Sequence, residues 1–181
     1  MKTAIEGIAV FDDFFSEAFR AKLETSLYEM QYDIANCDRH DTQKYCNGEP
    51  SEDFIERVGL REELEKTPLA PYAHYEIMST GTNVDTPGLP HYCHIHTGQF
   101  VFLYYPAKTW RHEWGGETLF YGRDGREIVY ASPYTPNRCI FFEGMTSHTI
   151  RSPTTLVPFP RVTFGIFFQK KHGFFEKLEL P

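Results

Sequence analysis

From Ala73 onward, turn residues cut the chain into short apolar segments. The cuts fall at Gly81, Pro87-Gly88, Trp114-Gly115-Gly116, Arg123-Asp124-Gly125, Thr135-Pro136-Asn137, Glu143-Gly144 and a Pro153–Pro160 loop. Punctuation this frequent leaves room for extended segments and tight turns but not for long helices. It predicts strands over residues 73–79, 91–96, 100–105, 117–121, 127–131, 138–142, 146–151 and 161–169. About eight short strands so spaced predict a β-sandwich or barrel. A jelly roll packed against N-terminal helices fits best. The 16 Phe and 11 Tyr suit a β-rich interior in which phenol hydroxyls find partners.

The first 72 residues read differently. Residues 5–11 predict a strand, and Ser16 is placed to cap a helix over residues 17–30 whose Phe19, Leu23, Leu27 and Met30 recur at helical spacing. Residues 31–50 are polar and read as an exposed loop with room for a short strand, in the position of a lid or specificity element. Ser51 is placed to cap a second helix, ended by Pro68 and Pro71. The expected organisation is one domain over residues 1–181, mainly β with N-terminal helices. Its residues 1–72 form an α/β segment that packs on a core of residues 73–170. A net charge of −7 argues against a nucleic acid partner. No apolar run approaches the roughly 20 residues of a membrane span, and the N-terminus lacks the apolar stretch of a signal peptide. The four cysteines, Cys37, Cys46, Cys93 and Cys139, are scattered without paired spacing, which points to a reducing, cytoplasmic setting. Cys93 and Cys139 sit in apolar runs and are expected to be buried.

Within this frame His94 and His96 stand out. Alternation along a strand places them on one face about 7 Å apart, where two imidazoles can chelate one ion. The best distant third ligand is His148, in Thr-Ser-His-Thr-Ile-Arg-Ser-Pro. The other histidines carry less. His91 and Cys93 make a poor zinc pair without further thiolates. His74 is expected to pack on an early strand, and His112 lies in a loop between Trp110 and Trp114. His40 and His172 are expected to be solvated.

From about Asn83 to Gln169 the chain resembles the iron(II)/2-oxoglutarate-dependent oxygenases, in particular their prolyl-4-hydroxylase-like branch. The carrying stretches are His94-Ile-His96, Phe102-Leu-Tyr-Tyr-Pro106, Trp114-Gly-Gly-Glu-Thr-Leu-Phe-Tyr121, Pro136-Asn-Arg-Cys-Ile-Phe-Phe-Glu-Gly144, Ser147-His-Thr-Ile-Arg-Ser-Pro153 and Arg161. The resemblance implies a double-stranded β-helix, Fe(II) as metal, and 2-oxoglutarate and O2 as cosubstrates. It maps His94 onto the first ligand and His148 onto the distal one. It also implies a basic residue beyond the distal histidine to hold the far carboxylate of 2-oxoglutarate. Arg161 stands there, and a guanidinium fork suits a carboxylate. Arg151 is the competing clamp, or a contact for an acidic substrate. One of Tyr104 and Tyr105 is expected to point inward to the cosubstrate, and Tyr104 is assigned that place. The segment from Trp110 through Gly116 is expected to serve the fold.

The chain departs from that family at one position. The family's first motif is His-x-Asp, and here His96 stands at the Asp position. Three explanations compete. His96 is itself a ligand, giving three histidines. Alternatively, His96 is no ligand and the open position takes water or an anion, with His96-Thr-Gly98 a shifted motif. In the third, Asp85 or Glu117 supplies a carboxylate. The first is favoured because the two-residue spacing already aligns both rings. The expected function is an Fe(II)- and 2-oxoglutarate-dependent oxygenase that hydroxylates a C–H bond of a small molecule or a peptidyl residue. The alternatives are a three-histidine cupin-type dioxygenase without 2-oxoglutarate, a non-catalytic jelly-roll binding module and a halogenase.

Overall fold

The computed structural model describes residues 2–5, 7–35, 44–47, 51–89 and 91–169. Its strands are β1 (Lys2–Ile5), β2 (Ile8–Phe11), β3 (Asp33–Ala35), β4 (Lys44–Asn47), β5 (Ile77–Asp85), β6 (Gln99–Tyr105), β7 (Thr118–Tyr121), β8 (Ile128–Ser132), β9 (Arg138–Glu143), β10 (His148–Ile150) and β11 (Arg161–Gln169). Eight of them form one sheet in the order β1-β2-β9-β6-β11-β5-β4-β3, and the other three form a second sheet in the order β10-β7-β8. The pairings are antiparallel. This is a double-stranded β-helix, the jelly roll that the spacing of turns predicts.

Strand alternation divides the larger sheet into two apolar faces. On β6, Phe100, Phe102 and Tyr104 point to the helices, while Val101, Leu103 and Tyr105 point into the space between the sheets. On β9, Cys139 and Phe141 take the helix side, and Ile140 and Phe142 the inner side. The helix side is covered by α1 (Glu17–Tyr28), α2 (Ser51–Val58) and α3 (Leu60–Leu64), which bring Phe19, Leu23, Leu27, Phe54, Ile55, Val58, Leu60 and Leu64 to the sheet. Fully burying a side chain of this kind contributes about 1.5–3 kcal/mol, so the helix layer is part of the core. Ser16 caps α1 as expected: its hydroxyl accepts from Phe19 N at 3.3 Å and donates to Glu63 of α3 at 2.8 Å.

Three local expectations need correction. The polar segment 31–50 is not simply a loop, because it supplies β3 and β4, which extend the sheet edge beyond β5. Polarity on strands at a sheet edge is compatible with pairing, and the room left for one short strand holds two; of the 31–50 loop expected as a lid, residues 36–43, His40 included, and 48–50 lie outside the described residues. The strand expected over 73–79 begins instead at Ile77, after a short 3-10 turn at Ala70–Tyr72. Gly81 lies inside β5 opposite Gly165 rather than in a turn. The predicted strand over 91–96 survives as a bridge between His94 and His148. No helix among the described residues is long and apolar enough to cross a membrane.

Candidate metal centre

His94 and His148 face each other across two antiparallel backbone hydrogen bonds, His94 N to His148 O at 3.0 Å and His148 N to His94 O at 3.1 Å. Directly paired residues send their side chains to the same face, and the two rings lie 4.4 Å apart, centre to centre. His96, two residues on, points the same way, with its ring centre 5.0 Å from His94 and 5.2 Å from His148. Each ring offers one nitrogen, and the three nitrogens lie within 4.8 Å of one another. The spacing His-x-His and the distant His148 therefore meet at one point. Among the described residues no carboxylate or thiol joins this group.

The backbone orients the rings. His94 Nδ1 lies 3.1 Å from Tyr92 O, and His148 Nδ1 lies 2.9 Å from Thr146 O. A carbonyl oxygen only accepts, so each Nδ1 carries a proton, and the neutral ring that a metal binds presents its lone pair on Nε2. His96 is held by its backbone N–H, which donates to Gly144 O at 2.7 Å. Gly144 is required there: a Cβ would stand 2.1 Å from His96 O and 2.7 Å from Gln99 O. Aromatic side chains flank two of the three rings. Phe142 lies 4.8 Å and Phe120 5.9 Å from His148, and Phe167 lies 4.7 Å from His96. The Phe167 ring lies where a Cβ on either of the paired glycines Gly81 and Gly165 would just touch it. Neutral imidazoles of this kind suit Fe, Zn, Cu or Ni, and the donor set fits a divalent transition metal.

Further along the same inner face stands Arg161, the residue expected to hold a carboxylate. It is fully buried, and its guanidinium is engaged inside the chain. Nε donates to Gly116 O at 2.8 Å, Nη1 to Asp85 Oδ2 at 2.9 Å, and Nη2 to Thr118 Oγ1 at 3.4 Å. Tyr105 and Tyr134 stack on each other at 4.4 Å, and Arg161 lies 5.6 Å and 5.3 Å from their ring centres. Burial pushes both phenols up, against the opposing pull of Arg161, so they stay protonated. Tyr105 donates to Thr118 Oγ1 at 2.7 Å, and Tyr134 to Val162 O at 2.7 Å. Gly116, at φ +81°, leaves room for this arginine: a Cβ there would meet Arg161 Cδ at 3.0 Å.

The remaining expected residues are placed as follows. Tyr104 lies on the helix side of β6, away from the histidines, where its hydroxyl donates to Asn137 Oδ1 at 2.7 Å. The tyrosine beside Arg161 is Tyr105. The parity of β6 carries this distinction, since Phe100 and Phe102 share the face of Tyr104. Arg151 stands on the rim, largely exposed, 3.9 Å from Glu117. Glu117 and Asp85, the two carboxylates weighed as ligands, therefore face arginines. His91, whose side chain is buried, has Nε2 3.6 Å from Asp85 Oδ1. Cys93, expected to be buried, is exposed and lies 2.9 Å from the Ser147 hydroxyl, while Cys139 is buried. His74 is exposed beside Glu65 rather than packed on a strand, and His112 is exposed beside Glu113. Trp110 and Trp114 serve the fold: Trp110 Nε1 donates to Gly115 O, and Phe159 packs against both rings.

Neither a family model nor a curated relative matches the sequence. Solved structures do match the fold. An oxidoreductase of the 2OG-Fe(II) oxygenase family from Burkholderia pseudomallei superposes with a TM-score of 0.70 at 10% identity, over 92% of this chain and 86% of that one. A prolyl-4-hydroxylase from Pseudomonas putida gives 0.64 at 13% identity, over 91% and 93%. HygX from Streptomyces hygroscopicus, with nickel and 2-oxoglutarate bound, gives 0.63 at 12% identity, over 92% and 84%. The likeness spans the helices as well as the sheets, and it concerns the fold.

Proposed function

We propose that this chain is a non-haem oxygenase that holds Fe(II) on His94, His96 and His148 and hydroxylates a C–H bond of a small molecule or a peptidyl residue, with 2-oxoglutarate as the cosubstrate that supplies the two further electrons O2 requires. The observation that carries the reading is the convergence of three imidazoles, two of them with Nδ1 turned to backbone carbonyls, inside a fold whose solved neighbours include 2OG-Fe(II) oxygenases. Bound iron would supply the activation of O2. The chain's own residues hold the ion from one side, leaving the opposite side for substrate and O2. Three neutral ligands leave the centre one unit more positive than two histidines and a carboxylate, which favours anionic groups among its further ligands. Phe120 and Phe142 pack against the buried His148, and Phe167 against His96, which limits solvent access on that side of the centre.

A second reading, a three-histidine dioxygenase that needs no 2-oxoglutarate, is favoured by one observation: Arg161 is already paired with Asp85. Both readings share the metal. Anaerobic titration of metal-stripped protein with Fe(II), or with Co(II) as a spectroscopic substitute, is expected to give one site per chain. His94→Ala, His96→Ala and His148→Ala are each expected to weaken it by about a hundredfold or more with the fold retained by circular dichroism. A protein that takes up neither iron, cobalt nor nickel would leave the binding-module reading in its place. An unchanged affinity in His96→Ala alone would remove His96 from the ligand set.

A further inference from the structure

Arg161 and Asp85 are opposite residues in the pairing of β11 with β5. Their ion pair is therefore a rung of the larger sheet, fixed by register, on the inner face whose Phe142 and Phe167 pack against the histidines. Both side chains are 0% exposed. A guanidinium presents a rigid fork of donors. Here one arm is taken by Asp85 Oδ2, one by Thr118 Oγ1, and Nε by the backbone of Gly116. The pair has no net charge, so the fork offers no excess positive potential to an incoming anion. These bonds use three of the five N–H groups, but Arg161 is 0% exposed, so a carboxylate arriving from solution finds no open face of the fork and enters only where Asp85 gives way. Displaced, Asp85 becomes a buried charge without its counterion, and breaking such a pair from one side is strongly unfavourable. Its other oxygen, Oδ1, accepts no hydrogen bond, and His91 Nε2 stands 3.6 Å from it.

We propose that Asp85 is a built-in carboxylate that closes the Arg161 fork, so that the metal centre takes no 2-oxoglutarate. The inference deepens the reading of the three histidines as an iron centre and rests on it for the meaning of the site. The closure itself depends only on Asp85 and Arg161. Arg151, on the rim beside Glu117, does not replace the fork, because it is 66% exposed and a solvated side chain offers little fixed geometry. Without 2-oxoglutarate, C–H hydroxylation has no source for its two further electrons, so the reaction that fits is the dioxygenation of the second reading, in which the substrate itself supplies the electrons and takes both oxygen atoms of O2.

The test is a binding experiment. Metal-loaded wild-type protein is titrated anaerobically with 2-oxoglutarate and followed by calorimetry and visible absorption. The expected result is no heat and no charge-transfer band up to about 1 mM, the upper end of ordinary substrate affinities. Binding below that concentration overturns the proposal. In parallel, metal-free Asp85→Ala is melted with and without acetate and 2-oxoglutarate. Removing the internal carboxylate should let either anion raise the melting temperature while wild type does not respond, with affinity for 2-oxoglutarate increased on the order of a hundredfold. A variant that gains no affinity for either anion overturns the proposal as well. If Asp85→Ala does not fold, Asp85→Asn, which keeps the volume and an acceptor for Nη1 but removes the charge, carries the same expectation. A wild type that binds no metal removes the oxygenase reading alone, since the anion response of the metal-free variant still decides whether Asp85 closes the fork.

Discussion

Gly144 shows how narrowly a single residue can set a site. Its α-carbon lies so close to the segment of His96 and Gln99 that any side chain meets backbone oxygen, which has no rotamer by which to escape. Overpacking of this kind costs about 1–3 kcal/mol. Because the same residue accepts from His96 N, the strain falls on one of the three rings. Gly144→Ala is expected to lower Co(II) affinity at least about tenfold while the far-ultraviolet spectrum is kept. A variant that binds cobalt as wild type does would show that His96 is not held by this contact. The histidines themselves were legible in the sequence, because spacing on a strand is enough to align two of them, and the resemblance pointed to the third. The partner of Arg161 was not. Asp85 lies 76 residues away, and only the register of β11 on β5 brings the two together, a quantity that periodicity does not carry. Tyr105 was within reach: the large apolar residues Phe100 and Phe102 fix the parity of β6, and that parity puts Tyr104 with the helices.

At the scale of elements, local signals worked where the chain carries a specific cap or turn and failed where polarity stood in for structure. Ser16 before α1 is the first kind. Its hydroxyl serves two elements at once, accepting from Phe19 N in α1 and donating to Glu63 in α3. Replacing an N-cap serine by alanine typically costs about 1 kcal/mol. Ser16→Ala is therefore expected to lower the unfolding free energy read from urea titration by that increment and leave metal affinity unchanged, since α1 lies on the side of the sheet away from the histidines. A change in metal affinity would show that the helix layer and the centre are coupled. The strands β3 and β4 are the second kind: nothing in a polar run distinguishes an edge strand from a loop until a neighbour, here β5, is known. Gly81 and Gly165 belong to the same class. Alone, each reads as a break; paired across β5 and β11, they form one rung of the larger sheet.

For the molecule as a whole, the larger sheet separates two packed layers, one apolar and helical, the other aromatic and polar around the histidines and Arg161. An ion bound by three residues from two separate segments stabilises the native state by mass action. At a free concentration about a hundred times its dissociation constant the gain is about 2.7 kcal/mol, or roughly 5–10 °C in melting temperature for a chain of this size. Fe(II), Co(II) or Ni(II) is expected to produce such a rise, chelation to reverse it, and His148→Ala to abolish it. A melting curve indifferent to all three metals would count against the centre.

The bridge between His94 and His148 adds a kinetic dimension. Two of the three rings hang from the same pair of backbone hydrogen bonds, a bridge that joins His148, the first residue of β10, to His94, which lies outside the regular strands. Such an isolated rung frays more readily than the interior of a sheet. Each opening moves one ring from its neighbour, so the dwell time of a captured ion is tied to the lifetime of that rung. The ion in turn acts as a clasp across it. Holding the metal and keeping the two segments together are thus one event.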